Sequence, residues 1–315
     1  MRVQSWTGAD TTSLGRAFAA EQARWRRDLA WDTRDLWPAI ERGRQSGRLP
    51  GLVARGDDGA LAGWTYFVVR DGDLQVGGLS AREPAVTAAL LDALVARPEA
   101  EAARRVLLFA FSDAPGLDDA LATRGFAADG YAYLERVLSP QGGSLQPGRP
   151  WDLRDLEATA DLLRASYPAA DPYRPFAPGG QPDAWRQYVG DLVMGQGCGR
   201  FRPTLSVALP GDDGRLEGVA LVTDIGERSA HLAQLAVRPD LRGAGLGARL
   251  LAAAERQAAA AGFARLTLLV ADGNARARAM YARAGFVARA RFACAARAAG
   301  SRAGREAAGA LAAGH

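Results

Sequence analysis

The chain has 315 residues, 48% apolar and 23% charged, which are ordinary values for a globular protein and enough for two domains or one large one. Its formal charge of +4 equals the surplus in residues 287–315, where Arg289, Arg291, Arg297, Arg302 and Arg305 stand against Glu306 alone, and a body without net charge is a poor surface for nucleic acid. No apolar run reaches the roughly 18 residues of a membrane span, and Met1 to Asp10 has no signal-peptide pattern, so a cytoplasmic protein with neither membrane nor nucleic-acid partner is expected, as a monomer or homodimer.

In the first half, apolar spacing predicts a helix from Leu14 and strands near 51–55, 60–70 and 73–79. A helix over 85–96, a strand over 105–111, a helix over 117–124 and a strand over 131–138 follow. The stretch Ser139 to Gly148 is rich in turn formers and has no periodicity, so it reads as a linker at 140–148. In the second half, Leu156 to Ser166 and Asp183 to Met194 are helical in pattern. Leu205 to Leu209 and Leu216 to Asp224 form a hairpin around Gly211-Asp212-Asp213-Gly214. A strand over His231 to Val237, a helix over Leu246 to Ala261, a strand over Arg265 to Val270, a helix over Ala275 to Ala284 and a strand from Phe286 complete it. Hairpins mixed with helical crossovers make each half a mixed α/β (α+β) sheet flanked by helices. The expected domains are 1–139 and 149–298, followed by an Ala/Arg/Gly-rich tail at 299–315.

The two halves repeat each other. Gly59-Ala60-Leu61-Ala62-Gly63 matches Gly214-Arg215-Leu216-Glu217-Gly218, each after an Asp-rich turn and before an apolar run. Thr123-Arg124-Gly125-Phe126 matches Arg283-Ala284-Gly285-Phe286. Two matches in the same order at nearly constant offset point to duplicated domains.

Cys198 and Cys294 are far apart, and His231 and His315 are the only histidines. Neither a disulfide framework nor a metal site is expected from that spacing. The loop Arg242-Gly243-Ala244-Gly245-Leu246-Gly247 joins a strand to a helix. Backbone N–H groups at a helix start, with glycines that let a bulky group approach, make an anion site; a plain glycine-rich turn is the alternative. The dinucleotide fingerprint fits poorly, because Arg238 to Arg242 intervene after the strand and the nearest acid, Asp272, lies too far on. A Walker loop is excluded by the lack of Gly-Lys-Ser/Thr.

This region resembles the GNAT superfamily of N-acetyltransferases. Arg242, Gly245 and Gly247 meet its acetyl-CoA loop pattern, Ala236-Val237-Arg238-Pro239 the end of its preceding strand, and Asn274, Tyr281 and Gly285-Phe286 its later elements. The match covers roughly residues 205–295. The first half resembles the same fold in degenerate form, since Leu79-Ser80-Ala81-Arg82-Glu83-Pro84 lacks the glycine loop. Two linked units of this kind, each a mixed and mostly antiparallel sheet, with the C-terminal one competent, are similar to the arrangement in the mycothiol synthase family.

The resemblance implies acetyl-CoA as co-substrate, no metal, and a small-molecule or peptide amine as acceptor. It implies that backbone groups of Leu235, Ala236 and Val237 pair with the pantetheine arm, an N–H at Leu235 facing the developing oxyanion. Amides of Arg242, Gly243, Ala244, Gly245, Leu246, Gly247 and Ala248 hold the pyrophosphate. Tyr281 is the general acid, with a half-buried aromatic on the helix from Ala275 as the alternative, and Asn274 caps a helix, bonds the arm, or does both. His231 stands where several members carry a Glu base; a structural histidine is the alternative, and Asp224 and Glu227 are the other candidate bases. Gln234 is placed to orient water or acceptor. Tyr167, Tyr173, Arg174, Phe176, Trp185 and Tyr188 either line an acceptor pocket or pack an interface between the halves. A non-catalytic CoA-binding sensor is the rival to an enzyme.

Overall fold

In the computed structural model, residues 1–139, 148–167, 182–195 and 197–298 are described. The expected linker, apart from Gly148, and the tail at 299–315 lie outside them, as do Tyr173, Arg174 and Phe176.

The first half runs β1 (Arg2–Ser5), α1 (Thr11–Leu29), α2 (Leu36–Gln45), β2 (Gly51–Arg55), β3 (Leu61–Arg70), β4 (Asp73–Ala81), α3 (Pro84–Val95), α4 (Pro98–Ala102), β5 (Arg105–Phe111), α5 (Leu117–Ala122) and β6 (Ala127–Val137). The second runs β7 (Arg149–Pro150), α6 (Leu156–Ser166), α7 (Pro182–Val193), β8 (Arg200–Phe201), β9 (Val207–Pro210), β10 (Leu216–Asp224), β11 (Ser229–Val237), α8 (Leu246–Ala260), β12 (Arg265–Ala271), α9 (Ala275–Arg283) and β13 (Val287–Ala298).

The described residues form two compact units that are not contiguous in the chain. The first holds Met1–Arg24, Thr33–Tyr131 and residues 291–298; the second holds Trp25–Asp32 and Ala132–Ala290. They differ from the expected segments 1–139 and 149–298 because strand pairing is long-range. Phe292 to Ala298 of β13 pair antiparallel with β5, and Phe292 stacks on Phe109 at 4.8 Å and on Phe111 at 4.5 Å, so the chain's last strand completes the first unit. The second unit gains Trp25–Asp32 through the Tyr133 hydroxyl, which donates to Leu29 O at 2.9 Å, and the Asp32 N–H, which donates to Ile225 O at 2.8 Å.

Within the first unit the strand order is β1-β2-β3-β4-β5-β13, antiparallel except for β4 beside β5. Residues of α3 and α5 fill one face, around Leu90, Leu94 and Leu117, and α1 and α2 cover the other, around Trp6, Phe18 and Trp64. In the second unit the order is β6-β12-β11-β10-β9-β7, with β8 also pairing β10 and with β11 parallel to β12. Here α8 and α9 pack on one face and α6 and α7 on the other. Burying each fully covered leucine of these cores contributes on the order of 1.5–3 kcal/mol. No described helix is long and apolar enough to cross a membrane.

Candidate active site in the second unit

The site begins with an irregularity in β11. Along β10, Val222 pairs with Leu232 but Leu221 pairs with Gln234, so Ala233 is an extra residue. Such a bulge puts two successive residues on one face and bends the strand. Accordingly Leu232, Leu235 and Val237 face α8, whereas Ala233 and Ala236 pack toward α6 and α7, and Gln234 bonds to groups on those helices.

The bulge also opens the sheet. β11 and β12 pair only from Ser229↔Arg265 to Leu232↔Leu268, although both strands run on, so Ala233 to Val237 have left β12. Arg238 N–H donates to Glu217 O at 2.8 Å, and alternate residues of an antiparallel strand point their backbone groups the same way. The N–H and C=O of Leu235 and Val237 therefore point away from β10, into the split. Val237 O accepts from Ser166 Oγ at 3.4 Å, and a polar ligand arm lying in the split meets a strand edge that β12 does not pair, a template for backbone hydrogen bonds.

At the end of the split lies the glycine loop. A single turn, Pro239–Leu241, leads to Arg242, and Gly243 and Gly245 take φ of +98° and +79°, the left-handed region that glycine alone enters without strain. A Cβ at either position would meet nothing within 4 Å, so it is the backbone turn and not crowding that requires glycine there. Gly245 caps α8, and the earliest intrahelical bond runs from Arg249 N–H to Gly245 O at 3.1 Å. The amides of Leu246, Gly247 and Ala248 precede that bond and lie at the positive end of the helix dipole, a suitable seat for phosphate. The Arg242 guanidinium donates to Ser166 O, the last residue of α6, at 2.8 Å and so fastens the loop. Gly218 lets α8 approach: a Cβ there would stand 2.5 Å from Leu250 Cδ1.

Beyond the split, Asn274 accepts from Ala277 N–H at 3.1 Å and so caps α9, the plainer of its two expected roles. Tyr281 on α9 is buried against Phe286, and burial, reinforced by the nearby Tyr167 phenol, raises its pKa above the usual tyrosine value. The helix-side face of β11 carries a polar network: Tyr167 OH donates to Gln234 Oε1 at 2.7 Å, and Gln234 Nε2 donates to Tyr188 OH at 2.6 Å. Trp185 stacks on Tyr167 at 5.2 Å. Tyr167, Trp185 and Tyr188 thus lie together within the second unit, on the α6 and α7 face of β11.

His231 lies further back on β11, on the face opposite to Leu232. It is 3% exposed, with its ring 5.6 Å from Trp31 and 5.9 Å from Tyr133, and burial lowers its pKa from 6.5 to about 4. Of the alternative bases, Asp224 is paired with Arg200 and Arg202; these pairings outweigh a burial that alone would raise its pKa, and the net shift is downward. Glu227 is paired with Arg26 at 3.2 Å. The Asp224 carboxylate is thus engaged by two arginines and that of Glu227 by one. Sequence reasoning did not find Trp31, Ser166 or Thr267 as neighbours of the site, because each comes from a segment remote in the chain and carries no motif. The bulge at Ala233 was equally silent, since an extra residue in a strand alters no composition.

A model of the acetyltransferase (GNAT) family matches residues 157–286, the stretch that builds the split and its loop. A mycothiol acetyltransferase from Clavibacter michiganensis is 32% identical over 246 residues, covering 75% of this chain and 76% of that protein. The chain belongs to the GNAT acetyltransferase family. Solved GNAT structures share its fold at low identity. A GCN5-related N-acetyltransferase from Sphaerobacter thermophilus matches with a TM-score of 0.59 at 17% identity, over 79% of this chain and 80% of that one. A tandem GNAT protein from the clavulanic acid pathway matches with a TM-score of 0.52 at 16% identity, over 80% and 83%. The protein is therefore a GNAT acetyltransferase with a mixed, largely antiparallel sheet.

Proposed function

We propose that the protein transfers the acetyl group of acetyl-CoA to a primary amine of a small molecule or peptide, by direct attack in a ternary complex formed in the second unit. The observation that carries this reading is the meeting of two features: the edge of β11 at Leu235 and Val237 that β12 does not pair, and the amides of Leu246 to Ala248 that open α8. The first suits an amide-bearing arm and the second its pyrophosphate, with Arg242 bracing the loop between them.

Chemistry then needs an oxyanion donor, a base and an acid. The Leu235 N–H serves the carbonyl oxygen as charge develops; one such donor is worth about 2.7–4 kcal/mol of barrier. Tyr281 is the acid. Burial keeps its phenol protonated, so an O–H is present when the carbon–sulfur bond breaks and the sulfur takes up charge. His231 is the base. It is neutral throughout the physiological range, and it takes the proton as the attacking nitrogen bonds to carbon and becomes acidic. Asn274 adds a hydrogen bond to the CoA arm while it caps α9. Tyr167, Gln234 and Tyr188 hold the amine on the α6 and α7 face.

Thiol release from acetyl-CoA with a panel of primary amines tests the reading. An amine related to mycothiol heads the panel, because the relative is named a mycothiol acetyltransferase. Release that depends on an amine is expected, with Tyr281→Phe lowering kcat about 100-fold or more and leaving acetyl-CoA affinity unchanged. Tight CoA binding with no release on any amine would instead make the protein a sensor.

A further inference from the structure

His231 and Thr267 are register partners on the parallel pair β11 and β12, and both side chains are buried. His231 Nδ1 lies 2.9 Å from Thr267 Oγ1. A threonine hydroxyl has one proton to give. The carbonyl of Ala230, 3.2 Å away, can only accept, and the Tyr133 phenol, which gives its own proton to Leu29 O, also bonds Thr267, so both of these neighbours call for the hydroxyl proton. Thr267 Oγ1 therefore meets the imidazole as an acceptor, and a neutral imidazole has one N–H. Which nitrogen keeps that proton is set by the hydrogen bond its partner nitrogen makes.

We propose that Thr267 is the positioning residue that holds His231 as the Nδ1–H tautomer, leaving Nε2 as the bare nitrogen that accepts the amine's proton. The proposal rests on the base role given to His231 above. The opposite tautomer would present an N–H to the amine and could not accept from it. The rings of Trp31 and Tyr133, the latter only 12° from parallel, oppose rotation of the imidazole. The first unit supplies an internal contrast. Its corresponding register is Asp73↔Arg105 to Val76↔Leu108, which puts Gln75 and Leu107 where the second unit has His231 and Thr267. There the base and the hydroxyl are absent together.

Nitrogen NMR on protein carrying labelled histidine tests this directly, because the chain has two histidines and His231→Gln identifies the signals of the buried one. Near neutral pH the expected pattern for His231 is a protonated Nδ1 and an unprotonated Nε2. Thr267→Val, nearly the same shape without the hydroxyl, is expected to lose that pattern and to lower kcat/KM for the best amine about tenfold or more, with acetyl-CoA affinity unchanged; Thr267→Ser restores both. A protonated Nε2 in the wild type, or an unaltered spectrum in Thr267→Val, overturns the proposal. If Thr267→Val does not fold, the wild-type spectrum and Thr267→Ser still decide. The expected spectrum combined with full turnover in His231→Ala would instead sink the base role and leave the tautomer standing.

Discussion

The two units are built on one plan and diverge at the same point. In each, two parallel strands pair over four residues and then part: β4 and β5 after Val76↔Leu108, β11 and β12 after Leu232↔Leu268. In each, an extra residue follows directly, Gly77 in the first and Ala233 in the second. In each, a glycine admits a helix to the sheet. A Cβ on Gly63 would come within 2.6 Å of Val86 of α3, as one on Gly218 would meet Leu250 of α8. The divergence begins beyond the split. The first unit continues through Arg82 and Glu83 to Pro84, which has no N–H, and Glu83 O already accepts from Val86 and Thr87. The second turns through two left-handed glycines and leaves three amides ahead of its first helical bond. The other face differs too. In the first unit Tyr66 and Trp64 press on Gly77 and Gly78 within a stack that includes Trp6 and Phe18; in the second the same face carries Gln234, Tyr167 and Tyr188. A split sheet is thus a property of the fold. The glycine turn with amides ahead of the helix at its mouth, and the hydrogen-bonding groups across it, are additions, and one unit has them.

The largest expected contrast is in acid. The buried His231 imidazole protonates near 4 in the folded protein, against 6.5 when exposed. Between those values the unfolded chain binds a proton that the folded chain does not, so stability falls as pH drops from 6.5 toward 4 and is unaffected above 6.5. The slope amounts to roughly 3 kcal/mol by its lower end. Urea unfolding across that range should show it, and His231→Gln, which gives the second unit the residue the first has at Gln75, should flatten it. An unchanged slope in the variant would mean the histidine is not held neutral.

Next is the loop. Gly245→Val forces a branched residue into φ near +79°, a strain of about 1–3 kcal/mol, and titration calorimetry should show acetyl-CoA affinity falling about 10- to 100-fold. Glu83→Gln, at the matching helix start of the first unit, should leave affinity untouched. Equal effects from both would break the contrast between the units. The smallest difference is expected where the units agree. Gly63→Ala and Gly218→Ala each crowd a helix against its sheet and should each cost about 1–3 kcal/mol in unfolding free energy.

Much of this could be read along the chain. The Gly63 and Gly218 repeat signalled duplication, and the register shows why it persists: both residues are contact points between helix and sheet. The glycines at 243, 245 and 247, the helix after them, Asn274 as a cap and Tyr281 one helix on all fall where their spacing put them, since each depends on neighbours a few residues away. Unit boundaries did not follow from the chain in that way, since the last strand pairs with β5 through contacts nearly 200 residues apart in sequence.

The sequence by itself determined the elements, their order, the duplication and the glycine loop that opens α8, because local periodicity, turn chemistry and helix starts are written in adjacent residues. Tertiary structure alone decided that β11 leaves β12 after Leu232, that Ser166 braces Arg242, and that Trp31, Tyr133 and Thr267 enclose His231. Those are matters of register and burial, set by which distant surfaces exclude water together. They turned an ordinary strand histidine into a neutral imidazole with one nitrogen already committed.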